Sequence, residues 1–139
     1  MTEVEKLYEL AGVEPNYDYF TFFDDKVHKI GRTMHLCKEE LKHWLENYQK
    51  DYVAIKVIRV DKIYPPFTAE KQLELIKWLA KFDDFYVLKD FEFDKYRSLC
   101  GLVASEYIDT FEEMLANLIL NIWDELTKAQ KKQIKEILE

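Results

Sequence analysis

His28, His35, Cys37 and His43 fall within sixteen residues of one another, with Cys100 far downstream. Imidazole nitrogen and thiolate sulfur are the donors that zinc takes, and a strand–loop–helix segment could converge such a set. The spacing lacks the paired arrangements that zinc sites use, C-x2-C or histidines at i and i+4 on one helix face. Surface histidines and packed thiols are therefore the expected reading, and neither a metal nor a cofactor is expected. His35 and Cys37 would share a face if they lie on a strand, where an imidazole could lower the thiol pKa and make a nucleophile. Proximity of two residues arises often by chance, and nothing nearby completes the arrangement. The serines are Ser98 and Ser105, and neither lies in a nucleophile-elbow sequence. The adjacent acids Asp24-Asp25, Asp83-Asp84 and Glu112-Glu113 suit turns and helix starts, where carboxylates cap free N–H groups and complement the helix dipole. The chain is expected not to be an enzyme.

Binding is the stronger lead. Residues 1–25 hold seven acids against Lys6, a net charge of −6, whereas the whole chain of 139 residues carries −7. The remainder is thus nearly neutral, and the surplus sits at one end. There Tyr17, Asp18, Tyr19, Asp24 and Asp25 mix large contact surfaces with negative charge and are the candidate partner-binding residues. Exposed aromatics give binding energy at low entropic cost, and a single-sign patch speeds encounter with a basic partner. The competing reading makes Phe20, Phe22 and Phe23 core and the acids the wet face of a strand. Net negative charge disfavours nucleic acid, which needs a clustered basic surface. Three glycines, Gly12, Gly31 and Gly101, stand too far apart for a phosphate-cradling loop. With two cysteines, no signal peptide and no apolar run near the ~18 residues of a membrane span, the expectation is reduced thiols in a cytoplasmic protein off the membrane.

These residues must be positioned by elements that the pattern largely outlines. Thr2 with Glu5 opens a short helix carrying Val4, Leu7, Leu10 and Ala11, closed by Gly12 and Pro15. Tyr17–Phe23 favours β structure, Asp24-Asp25 a turn, and Val27–Leu36 a returning strand. Lys38–Gln49 has a helical apolar stripe through Leu41, Trp44, Leu45 and Tyr48. Tyr52–Val60 reads as a strand apolar on both faces, hence internal to a sheet. Pro65-Pro66 break the chain before Thr68 caps a helix whose stripe is Leu73, Ile76, Leu79 and Ala80. Phe85–Phe93 is a further strand, and Lys95–Tyr107 is strand or helix. Thr110 and Glu113 form a capping box for Phe111–Leu126, and Thr127 with Gln130 another for a terminal helix through Ile134, Ile137 and Leu138. At 139 residues and without linkers or repeats, the expectation is α+β: one compact domain, a small β-sheet packed against about four to five helices, with a helical C-terminus.

Tyr64–Leu79, YPPFTAEKQLELIKWL, and the tail FEEMLANLILNIWDELTKAQKKQIKEILE together resemble modules of small accessory proteins encoded by phages and prophages of Gram-positive bacteria. They span about a third of the chain, and the first sixty residues match no such module. The resemblance implies a host bacterial cytoplasm and a non-enzymatic inhibitor of a defence protein, anti-CRISPR-like, whose basic surface an acidic face would occupy. The alternatives are an oligomeric sponge that sequesters a signalling nucleotide with Arg32, Arg59 or Arg97 beside tyrosines, and a phage structural or accessory component.

Overall fold

The computed structural model describes residues 1–33 and 57–139. These form four α-helices and two small antiparallel sheets, an α+β fold with a helical C-terminus. Two sheets replace the one expected. The chain also divides into two compact units: residues 1–13 with 65–139, and residues 14–64. The expected helix at 38–49 and the first half of the expected strand at 52–60 lie outside the described residues.

The first unit begins with α1 (Glu3–Ala11), capped by Thr2, whose side chain accepts from the Glu5 amide, and closed by Gly12 at φ 79°. Leu7 and Tyr8 are its buried residues, while Leu10 stays half exposed because it points away from that stripe. α2 (Ala69–Phe82) starts at Thr68 as expected. Its buried positions are Leu75 and Leu79, not Leu73 and Ala80. At 100° per residue Leu73 lies almost opposite Leu75, so the two cannot share a face. α3 (Phe111–Ile122) is buried at every position from Met114 to Ile119 and continues through a 3₁₀ turn, Trp123–Glu125. A helix apolar on nearly all sides must be covered on nearly all sides. Helix α1 packs on one flank of α3, and strands β5 (Lys95–Cys100) and β6 (Val103–Ala104) on another. α4 (Lys128–Leu138) carries a full capping box between Thr127 and Gln130, buries Ile134 and Leu138, and contacts α1 and α2.

The box expected at Thr110 is only half formed. Thr110 accepts from the Glu113 amide, but the Glu113 carboxylate reaches back across the fold and accepts from the Glu3 amide at 2.6 Å. Beside it the half-buried Glu3 carboxylate accepts from Asn117 Nδ2 at 3.0 Å, and Asn117 Oδ1 accepts from the Glu106 amide at 2.9 Å. One buried asparagine thus ties α1, α3 and the chain before α3 together. This bond to Asn117 is the main reason the Glu3 carboxyl is held below its ordinary pKa.

In the second unit β1 (Asn16–Phe23) is the centre of the sheet, with β2 (Lys26–Thr33) on one side and β3 (Val57–Ile63) on the other. The expected hairpin forms, and Asp24 and Asp25 make its two-residue turn at φ 51° and 59°. Two successive left-handed residues are the signature of a turn that matches strand twist. Among the described strands β3 flanks the sheet instead of lying inside it. No helix among the described residues is long and apolar enough to cross a membrane.

Candidate protein-binding surface

The five residues of the N-terminal candidate set do not share one outward patch. Tyr19 is fully buried and Asp18 is 5% exposed, because alternation along β1 turns successive side chains to opposite faces and both faces are covered at this point. The Asp18 carboxylate lies 3.5 Å from Lys29 Nζ on the neighbouring strand, so its charge is compensated within the unit. Tyr17 is half buried, and only Asp24 and Asp25, at the hairpin turn, are open to solvent.

An acidic and aromatic surface exists elsewhere, on the hairpin made by β4 (Phe85–Asp90) and β5. The expected strand 85–93 stops at Asp90, because Asp90 Oδ1 accepts from the amides of Glu92 and Phe93 and folds the chain into a turn. Asp94 follows in the left-handed region at φ 51° and releases the chain into β5. Phe91 and Phe93 therefore stand at the tip, 85% and 66% exposed, alternating with Asp90, Glu92 and Asp94. Lys89 does not cover them with a free charge. Its ammonium sits 3.3 Å from Asp94 and over the rings of Tyr96 and Phe91, and the bond to Asp94 foremost raises its pKa. The tip is thus held by its own side chains, so its rings are arranged before any partner arrives.

The hairpin has one covered face and one open face. Ser98 and Cys100 on β5 are buried toward the helices, and Cys100 Sγ donates to Leu79 O at 3.6 Å. Burial foremost, then the neighbouring Asp83, pushes the Cys100 thiol pKa up, the opposite of what a nucleophile needs. Lys95–Cys100 is therefore strand, with Gly101 turning into β6. On the open face Tyr86 and Leu88 stand opposite Leu99 and Arg97, and both are about half exposed or more. Rings and aliphatic side chains exposed together in this way mark an interaction surface more often than chance scatter does.

Of the zinc-type donors, His28 is exposed on β2 and Cys100 is buried in the other unit, while His35, Cys37 and His43 lie outside the described residues. Among the described residues no three His, Cys, Asp or Glu side chains are grouped to hold a metal ion. Of the arginines considered for nucleotide binding, Arg59 pairs with Asp61 at 3.2 Å and lies over the Phe20 ring. Arg97 donates to Ser105 O and lies over Tyr107. The Arg32 side chain lies outside what is described. A shallow groove of about 640 Å³ between α2 and α4, lined by Glu74, Trp78, Lys81, Gln133, Glu136 and Ile137, is crossed by a Trp78–Gln133 hydrogen bond. It collects no set of groups suited to catalysis.

Sequence reasoning missed the tip because Phe85–Phe93 carries β-favouring aromatic and aliphatic residues to its end. The available signal was Asp90-Phe91-Glu92-Phe93-Asp94, in which two turn-favouring aspartates bracket three residues. Comparison of the chain with family models, curated proteins and solved structures returns no match.

Proposed function

We propose that this chain is a non-enzymatic binding protein that engages a basic surface of another protein through the tip of its β4–β5 hairpin. One observation supports this most: Phe91 and Phe93 stand in water on a turn that Asp90 and Asp94 hold in shape. Leaving two rings exposed costs solubility unless they are covered in use. The acids between them favour a cationic counterpart and select against acidic ones. In the phage setting that the sequence modules suggest, the partner is a host defence protein in the bacterial cytoplasm, with the hairpin occupying a basic site.

The test is affinity capture from a Gram-positive bacterial lysate with three forms of the chain: wild type, Phe91→Ser/Phe93→Ser, and Asp24→Lys/Asp25→Lys. A protein held by the wild type, lost with the first variant, kept by the second and weakened between about 0.1 and 0.5 M salt bears the proposal out. Capture that survives loss of both rings contradicts it.

A further inference from the structure

The edge of the same hairpin points to a second copy of the chain. Among the described residues β4 is the outer strand of the order β4-β5-β6, and no described strand pairs with the other side of its backbone, the arrangement that offers N–H and C=O groups to a further strand. Proteins usually blunt such an edge with proline, a bulge, or a lysine projecting along it. β4 has none of these in force. Its pairing with β5 runs from Phe85–Cys100 to Asp90–Lys95 without a register shift, and its lysine is tied down by Asp94 and Tyr96. The side chains it offers, Tyr86, Val87 and Leu88, are 62%, 40% and 49% exposed.

We propose that β4 pairs with β4 of a second copy, antiparallel, to give a continuous six-stranded sheet. A two-fold axis that joins antiparallel edges must stand perpendicular to the sheet, so the open face of one copy continues into the open face of the other. Residues of equal parity then oppose each other. Centring on Val87 sets Tyr86 of each copy against Leu88 of the other, and Lys89 against Phe85. Both Tyr–Leu pairs lie on the open face, and no like charges meet between Phe85 and Lys89. Asp90 meets Asp84 of the second copy only at the rim, where water and salt screen them. The strand, six residues long, is a strip of about 20 Å, which places the contact at the low end of specific interfaces. The dimer is accordingly concentration-dependent. The pairing does not rest on the tip reading, because Phe91 and Phe93 lie beyond the paired strand and stay free at opposite ends of the joined sheet.

Sedimentation velocity of the full chain between about 5 and 500 μM tests this, with dissociation constants in the micromolar range expected. The wild type should move from the mass of one chain toward twice that mass. Leu88→Lys and Leu88→Glu should each weaken dimerisation at least about tenfold, because each sets two like charges diagonally across the joint at roughly 7–8 Å. An equimolar mixture of the two variants should recover the dimer, a result that misfolded chains could not give. A wild type that stays monomeric throughout, a Leu88→Lys chain that dimerises like the wild type, or a mixture that stays monomeric would each overturn the proposal.

Discussion

Two residues carry backbone conformations that their side chains make testable. Asp25 sits at φ 59° in the β1–β2 turn, a region that glycine enters without the steric cost a Cβ brings. Asp25→Gly should therefore raise stability by about 0.5–1 kcal/mol, read as a shift in the urea midpoint at constant slope. Gly101 is the reverse case. Its φ is 59°, and a Cβ there would run into the Asp83 carboxylate. Strain at a left-handed position costs about 1–3 kcal/mol, and the contact adds to it. Gly101→Ala should lower stability by about that much, read as a lower midpoint, and an unchanged midpoint would show that the turn relaxes. Neither substitution touches the hairpin tip, so both should leave capture of a partner intact.

Helix starts were legible in the sequence because a threonine cap acts on an amide three residues away, and Thr2, Thr68, Thr110 and Thr127 all cap in the structure. What lies across the fold was not legible. Glu113 looked like the second half of a local box but serves an amide 110 positions away. Whether Asp18 and Tyr19 faced water depended on what covers β1, which strand alternation alone does not say. The Asp90 turn was hidden because Phe91 and Phe93 continue the run of β-favouring side chains that precedes them. The link between α1 and α3 has a pH signature. The Glu3 carboxyl is held below its ordinary value of 4.5, chiefly by Asn117, so the folded state binds that proton less tightly than the unfolded state. Its stabilisation is therefore complete above that ordinary value and is lost as pH falls through the lowered one. In denaturant unfolding from pH 7 to 3, the stability gap between wild type and Glu3→Gln should narrow as the pH falls. Parallel curves would mean that the Glu3 charge contributes nothing.

At the scale of the whole molecule, apart from Tyr19, the buried apolar side chains among the described residues belong to the first unit. Asn16 and Ile63 are opposed in the β1–β3 ladder, so the chain enters and leaves the second unit at adjacent points. That is the geometry of an insertion, and insertions at such points are removable. A chain lacking residues 17–62, closed by a short glycine bridge, should still unfold in one cooperative step and still present the Phe91–Phe93 tip; a non-cooperative melt would show that the first unit needs the second. The central claim is that recognition lies on the β4–β5 hairpin and not in the acidic first quarter of the chain. Hydrogen exchange of the full chain, with and without the captured partner, tests this most directly. The account predicts new protection at residues 90–95 with little change at residues 16–25, whereas protection at residues 16–25 beside an unchanged hairpin would contradict it.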